Sequence, residues 1–189
     1  VAVANGKASM KGGSIKDTTA SVNGGAVSVS GGSFTMSGGS IGGTDSEKCT
    51  AANGGAVAVN GGTFTMTSGI IQNSTSTEDG GAVYVSVTGI PLGDSFTMSD
   101  SASIMNCTAS GNGGAICVEG GSASMSGGSI KSSTAPSGNG GAVSVSNGNF
   151  AMSGGTIGDY DAVCSAKNGG AVSVTGGTFT MSGASAVTY

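Results

Sequence analysis

The chain has no histidine, no tryptophan and no arginine, and its 189 residues include only 2 prolines. Scarce proline excludes collagen, and the lack of histidine and of CxxC spacing argues against a metal centre, so no cofactor is expected. With 8% charged residues, the chain is not a charged disordered tail. Its net charge of −4 argues against nucleic-acid binding. No apolar run is long enough to predict a membrane span.

Glycine is abundant instead, at 39 residues, and it marks a repeat. A Gly-Gly pair follows asparagine or aspartate and precedes a short valine-rich strand. These pairs begin at positions 24, 54, 80, 113, 140 and 169, which gives spacings of 30, 26, 33, 27 and 29 residues. A period in this range indicates a repeat architecture. We therefore expect residues 1–189 to form one continuous domain without evident caps, either a mature product or a segment of a longer protein.

Aligned on these pairs, the repeats place apolar residues at every second position of two strands and an isoleucine in a third. The predicted core ladders include Val27, Val29, Phe34, Met36, Ile41, Val57, Val59, Phe64, Met66 and Ile71. Because side chains alternate across a strand, the chemically mixed positions between the valines, such as Tyr84 and Cys117, are predicted to face outward.

Three short strands per repeat, glycine corners and no helical periodicity predict an all-β fold. The predicted fold is a single-stranded parallel β-helix of about seven coils, each of about 29 residues. The crossover rule predicts that this helix is right-handed. Asparagine before the Gly-Gly pair tolerates left-handed backbone. The stacked copies are predicted to form an amide ladder that Asp79 interrupts, with the members Asn23, Asn53, Asn112, Asn139 and Asn168.

Three motifs carry a resemblance to known proteins: GGAVYV at 80–85, GGTFTMTSGII at 61–71 and GGTFTMSG at 176–183. They resemble the right-handed parallel β-helix repeat proteins of bacterial cell surfaces. A looser similarity links the chain to passenger domains of polymorphic outer-membrane autotransporters, although serine or threonine stands where their Phe-x-x-Asn motif has asparagine. The resemblance implies an exported, extracellular or surface-exposed bacterial rod, of the kind found in adhesins and giant repeat proteins. It implies no particular ligand.

The 10 acidic residues are candidate catalytic groups, because β-helix enzymes that act on polysaccharides need clustered carboxylates. Asp159 and Asp161 form the closest pair on one loop, and Asp45 and Glu47 lie near them only if the two loops fold alike. No arginine or histidine supports either pair. We therefore interpret these acids as solvated loop charges and do not expect an enzyme, so a polysaccharide-active enzyme is the last alternative.

Three of the 4 cysteines, Cys49, Cys107 and Cys164, fall in the same part of alternate repeats. Two coil rises would separate neighbours by about 10 Å, which is beyond the reach of a disulfide. Cys117 is predicted to face outward on a strand, and a Cys107–Cys117 bridge stays open as an alternative. Free thiols are favoured over a disulfide framework.

The second strand of each repeat is predicted to carry an outward row of serine and threonine, as in Thr63-Phe-Thr65-Met-Thr67. Such flat rows resemble the ice-binding face of antifreeze solenoids, but they are also the simplest soluble surface for an exposed sheet. Ala151, Lys7 and Lys11 interrupt the pattern. Asn73 and Asn106 begin N-glycosylation sequons and are candidate modification sites.

Neither end of the chain has the polar coil that caps a lone solenoid. The first and last coils are in phase, so stacking of one copy on another, head to tail, would build an open filament. The sequence therefore predicts a structural element of a surface rod, with itself as partner. The alternative is an adhesin that binds glycans or a host protein through the insertion at 86–95, where Tyr84, Ile90, Pro91 and Leu92 form a possible binding loop. Ice binding ranks after it.

Overall fold

The computed structural model describes residues 1–86 and 95–188, and β-strands dominate this part of the chain. Its one helical element is a 3-10 helix, η1, over Asp45–Glu47. The strands follow one another around successive coils of a solenoid, numbered 1 to 7 from the amino end. Within the described ranges, no helix has the length and hydropathy that a membrane crossing requires.

Each coil contributes between two and four of these strands. Coil 1 contains β1 (Ala2–Val3), β2 (Lys7–Met10), β3 (Ser14–Ile15) and β4 (Thr18–Thr19), and coil 2 contains β5 (Val27–Val29), β6 (Ser33–Ile41) and β7 (Cys49–Ala51). Coil 3 contains β8 (Val57–Val59), β9 (Thr63–Gln72) and β10 (Thr75–Ser76), and coil 4 contains β11 (Val83–Ser86), β12 (Phe96–Met98), β13 (Ser103–Met105) and β14 (Thr108–Ala109). Coil 5 contains β15 (Ile116–Gly120), β16 (Ser122–Lys131) and β17 (Thr134–Asn139). Coil 6 contains β18 (Val143–Val145), β19 (Asn149–Ile157) and β20 (Ser165–Asn168), and coil 7 contains β21 (Val172–Val174) and β22 (Thr178–Val187).

These strands form three parallel sheets that run along the solenoid. The first sheet has the order β1-β5-β8-β11-β15-β18-β21, and the second has β2-β6-β9-β12-β16-β19-β22, with β3 and β13 beside it. The third sheet has the order β20-β17-β14-β10-β7-β4, so the described part of coil 7 adds no strand to it. Seven strands at the usual spacing span about 30 Å. The predicted all-β solenoid of short repeated coils is confirmed.

Like residues of successive coils lie on one another. Val27 pairs with Val57 and Val57 with Val83 in the first sheet, while Met36 pairs with Met66 in the second. The rings of Phe34 and Phe64 stack with centroids 5.2 Å apart and an interplanar angle of 3°. The ladder residues named from the sequence are 3% exposed or less, namely Val27, Val29, Phe34, Met36, Ile41, Val57, Val59, Phe64, Met66 and Ile71. Stacked hydrophobic side chains therefore fill the interior between the sheets.

The positions between the two valine columns of the first sheet are less exposed than their outward direction suggests. Alternation turns them outward, yet Tyr84 is only 8% exposed and Cys117 only 2%. The reason is that the Gly-Gly corner of each coil folds back over the outer surface of its own strand. A Cβ added at Gly80 would lie 3.1 Å from the Cα of Tyr84, and one at Gly113 would lie 2.8 Å from the nitrogen of Cys117. The corner therefore covers positions that would otherwise be solvent-exposed.

The corner between the second and third sheets has two forms. In coils 1, 3, 4 and 5 it is a two-residue turn with left-handed backbone at Asp17, Asn73, Asn106 and Ser132, where φ lies between 47° and 55°. Coils 2 and 6 have longer loops instead, which we call loop 2 (residues 42–48) and loop 6 (residues 158–164). Each begins at a glycine with φ of 81°. The two long loops therefore project from the same corner of the solenoid, four coils apart.

Candidate functional site

The carboxyl-terminal face of the solenoid exposes part of the core ladder. Three ladder residues of coil 7 are open to solvent, namely Val174 (45%), Met181 (44%) and Val187 (37%). Their partners in coil 6 are 1% exposed or less. Among the described residues, no strand pairs with the outer edges of β21 and β22, so there this face offers backbone hydrogen-bonding groups beside its apolar surface.

The amino-terminal face carries a complementary hollow. An open pocket of about 390 Å³ is lined by residues that include Ala8, Met10, Ile15 and Phe34. Ala8 occupies the position of the phenylalanine ladder, since it pairs with Phe34 in β6. Alanine is smaller than phenylalanine, so coil 1 has less side-chain volume at this position of the ladder than coil 2 has.

The Gly-Gly corners are joined by a hydrogen-bonded ladder of side chains. Asn112 Oδ1 accepts from the backbone nitrogen of Asn139 at 3.0 Å and from its Nδ2 at 2.9 Å. Asn168 Nδ2 continues the series by donating to Asn139 Oδ1 at 2.9 Å. Each amide oxygen therefore holds the corner of the following coil.

Asp79 was predicted to interrupt this ladder, and the structure corrects that prediction. Its Oδ1 accepts from the backbone nitrogen of Asn112 at 2.6 Å and from Asn112 Nδ2 at 3.1 Å. Aspartate can stand in the ladder because the contact with the next coil needs only an acceptor, which a carboxylate oxygen provides. Toward the preceding coil, the backbone nitrogen of Asp79 donates to Asn53 Oδ1 at 3.2 Å. Asn53 Nδ2 donates to Glu78 at 3.0 Å, and Asn23 joins Asn53 through a backbone bridge.

The third sheet contains a buried column in which cysteine and serine alternate. Backbone bonds align Cys49, Ser74, Cys107, Ser133 and Cys164 in successive coils. Ser74 and Ser133 each donate to the carbonyl two residues earlier, and Cys107 Sγ does the same to Met105 at 3.2 Å. Cys49 and Cys164, which follow the longer loops, donate instead to carbonyls of the preceding coil, those of Ile15 and Ile130.

All four cysteines are free, as the sequence favoured, and all four are buried. Burial raises the pKa of Cys107 to about 12 and also raises the pKa of Cys117 and Cys164. Cys117 was predicted to face outward, yet it is only 2% exposed, because the Gly-Gly corner of coil 5 covers it. Thiols that are buried and protonated at neutral pH are poor nucleophiles and poor metal ligands.

Loops 2 and 6 are each tied to the preceding coil by an ion pair. Lys16 Nζ lies 2.5 Å from Glu47 Oε1, and Lys131 Nζ lies 2.7 Å from Asp159 Oδ2. The lysine hydrogen bond is the main cause that lowers the pKa of each carboxyl. Because the loops are four rises apart, about 19 Å separates them. In residues 1–86 and 95–188, no group of three or more acids or cysteines is placed to hold a metal ion.

Beside loop 2 lies an open polar groove of about 470 Å³ that crosses coils 1 to 3. Its wall is Thr44 and Glu47 of the loop, and its floor includes Lys16, Ser40 and Gln72. The groove combines hydroxyl, amide and charged groups, which suits a ligand rich in hydroxyl groups. No feature of the sequence pattern indicated it, since the groove depends on how far loop 2 projects.

The serine and threonine rows lie on the outer face of the second sheet. Thr35, Thr65 and Thr97 stack in register, as do Ser33 and Thr63. The rows are not a uniform lattice, because Ser95 is 2% exposed and Ala151 replaces a hydroxyl in coil 6. The surface is regular over coils 2 and 3 and irregular beyond them.

Tyr84 was predicted to belong to an exposed binding loop, and the structure instead buries it. Its hydroxyl donates to Glu119, which is the extra residue of a bulge where Val85 pairs with Val118 and Ser86 with Gly120. Burial raises the pKa of Tyr84 to about 12. The other proposed contacts, Ile90, Pro91 and Leu92, lie outside the described residues.

The two sequon asparagines occupy left-handed corners. Asn73 has φ of 49° and its Nδ2 donates to the carbonyl of Gly43, whereas Asn106 has φ of 54° and is exposed. The corner geometry accounts for asparagine at both positions.

Comparison with protein-family models, with curated proteins and with solved structures found nothing that matches this chain.

Proposed function

We propose that this chain is an extracellular structural β-solenoid, a segment or protomer of a bacterial surface rod that lengthens by stacking of coils at its ends. The exposed core ladder of coil 7 carries this proposal. Val174, Met181 and Val187 continue columns that are buried in coils 2 to 6, so a further coil would bury them as coil 7 buries coil 6.

The physical basis is the one-dimensional character of solenoids. Each coil contacts only its neighbours, so the free energy of the rod is close to a sum of coil and interface contributions. An end coil that exposes apolar side chains and an unpaired strand edge lacks one interface contribution. Head-to-tail stacking restores it, and because the copies would stack along one axis, this heterologous contact builds an open filament rather than a ring. The regular stacking of the coils supports a structural role.

A lengthened chain tests whether the coil 7 face accepts a coil. A copy of residues 160–187 placed after position 189 keeps the period of the last two coils, because Ile157 and Val187 are partners. We expect its unfolding midpoint in urea to rise and its thermal unfolding to stay cooperative. An unchanged midpoint would overturn the proposal. Labelling of intact source cells with antibodies against the chain tests the surface location.

The polar groove beside loop 2 favours a second candidate, a binding module for glycans or a host surface. Hydroxyl-rich ligands are held by charged and amide groups of the kind that Lys16, Glu47 and Gln72 provide. Retention on immobilised neutral polysaccharides tests this candidate. Glu47→Gln should reduce retention, whereas Asp159→Asn, which removes the matching ion pair of loop 6, should not.

A further inference from the structure

We infer that the partner of the open coil 7 face is a second copy of this chain, whose coil 1 docks on coil 7 in the register that coil 5 takes on coil 4. This inference rests on the proposed end-to-end stacking and identifies its partner and its alignment.

Coil 1 is a close sequence match to coil 5. The second-sheet segment of coil 1 reads KASMKGGSIK at 7–16, and that of coil 5 reads SASMSGGSIK at 122–131, with eight of ten positions identical. The surfaces that receive them also agree, because coil 4 and coil 7 both present the sequence Phe-Thr-Met, at Phe96–Met98 in coil 4 and at 179–181 in coil 7. The solenoid therefore already contains the pair of surfaces that the junction would bring together.

The internal junction between coils 4 and 5 shows how these surfaces fit. Phe96 pairs with Ala123 and Met98 with Met125 in parallel register. All four side chains are 1% exposed or less, so an alanine after a phenylalanine is accommodated within a closed interior. The same alignment on coil 7 would place Ala8 of the second copy on Phe179 and its Met10 on Met181.

The shapes of the two end faces agree with this alignment. Phe179 stacks on Phe150 with centroids 5.8 Å apart, and Phe179 as a whole is half-buried. The hollow beside Ala8 is the place where the core lacks a ring. In the joined rod, Phe150 and Phe179 would be followed by Ala8 and Phe34 of the second copy. That order repeats the internal series Phe64, Phe96, Ala123 and Phe150.

The first sheet extends in the same register. Val3 pairs with Val29, which places Val1 and Val3 in the columns of Val172 and Val174. Charge does not oppose the contact, because residues 168–188 contain no acidic or basic side chain against which Lys7 and Lys11 would lie. Two of the three sheets therefore offer matched edges.

The third sheet takes no part in the junction. Its last strand, β20, belongs to coil 6, and β4 of the second copy would lie two rises away, about 10 Å. The junction therefore has fewer backbone hydrogen bonds than an internal contact between coils. We expect it to dissociate on dilution, unlike the contacts within one chain.

Two blocking variants test the docking. Met181→Lys places a charge on the coil 7 face at a residue that is 44% exposed, so the fold should persist. Ala8→Glu places a charge in the hollow of coil 1. Each change should weaken self-association by more than about tenfold, because a buried unpaired charge costs more than 1.4 kcal/mol. Thr180→Lys, one residue from Met181 on the outward side, is the matched control and should associate like the unmodified chain.

Light scattering after size-exclusion chromatography measures the result. We expect concentration-dependent oligomers from the unmodified chain, monomers from each blocked variant alone, and a one-to-one dimer when the two variants are mixed, since one free face of each kind remains. Dimers of Met181→Lys alone, or of Ala8→Glu alone, would overturn the head-to-tail alignment. Circular dichroism of each variant verifies that it is folded.

The lengthened chain separates this inference from the proposed function. If the unmodified chain stays monomeric at high concentration while the lengthened chain is stabilised, the coil 7 face accepts a coil of its own chain. Only the inference of a second copy then fails. If the lengthened chain gains no stability, stacking at the ends fails as a whole.

Discussion

Asn112 Oδ1 receives two hydrogen bonds from Asn139, one from its backbone nitrogen and one from its side chain. Replacing Asn112 by alanine would leave both donors without this acceptor and would also remove the bond from Asn112 Nδ2 to Asp79. We expect Asn112→Ala to lower the free energy of unfolding by about 1–3 kcal/mol, measured by urea denaturation. Asn23→Ala is the control, because Asn23 joins the next coil through its backbone. Equal losses from the two changes would contradict a stabilising ladder.

The cysteine and serine column predicts that Cys107→Ser is tolerated. Ser74 and Ser133 occupy the flanking positions and donate to the carbonyl two residues earlier, as Cys107 does. We expect a change of less than about 1 kcal/mol in the free energy of unfolding, since the new hydroxyl finds the same acceptor. Cys107→Val removes the donor and serves as the comparison. A larger loss for serine than for valine would show that apolar packing, rather than this bond, determines the residue.

Thiol modification tests the burial of the cysteines directly. Burial raises the pKa of Cys107 to about 12, so at pH 8 the native thiol is both covered and protonated. We expect an aromatic disulfide reagent to react with the four thiols only as fast as the chain unfolds. Addition of urea should therefore bring modification and loss of β-sheet signal together. Rapid modification of the folded chain would contradict the buried placement.

The tight corner at Asn106 has left-handed backbone with φ of 54°. A β-branched side chain is strained there, so Asn106→Val should lower the free energy of unfolding by about 1–2 kcal/mol, while Asn106→Gly should be close to neutral. Ser124→Val is the control, because Ser124 lies in strand β16, where valine is favourable. Thermal denaturation of the three variants ranks them by stability. Equal destabilisation by valine at both positions would argue against corner strain.

Acid should release loop 2 before the coils unfold. The hydrogen bond from Lys16, and then that from Thr44, lowers the pKa of Glu47 below its ordinary value of 4.5. A lowered carboxyl pKa stabilises the folded state above the ordinary value, and this contribution is lost as the pH falls through the folded-state value. We expect the protection factors for hydrogen exchange in residues 44–48, relative to the intrinsic rate at each pH, to fall below pH 4.5, whereas those of β6 and β9 stay high. In Lys16→Met, this fall should begin at higher pH.

The architecture was predictable because one pattern repeats. The columns of Val27 and Val57, and of Phe34 and Phe64, need only alternation and period to be placed in the interior. Alternation was insufficient for Tyr84 and Cys117. Alternation gives the direction of a side chain. It does not show that the backbone of the Gly-Gly corner covers these two positions, because that depends on how the chain folds in three dimensions.

The candidate sites were less predictable, because they depend on individual departures from the repeat. Asp79 looked like an interruption, although an acceptor is sufficient at that position of the ladder. The bulge that directs Glu119 to Tyr84 has no periodic signal. The similarity of the segments that begin at Lys7 and Ser122 was present in the sequence, but its meaning depends on knowing which strand each one covers.

The corner that carries loops 2 and 6 tolerates large differences in length. A two-residue turn at Asn106 and a seven-residue loop beginning at Gly42 connect strands that keep the same pairing with their neighbours. Foreign peptides grafted at this corner should therefore leave the scaffold intact. The choice of coils would set the separation of the displayed peptides in steps of about 4.8 Å. The solenoid could therefore present epitopes at defined distances from one another.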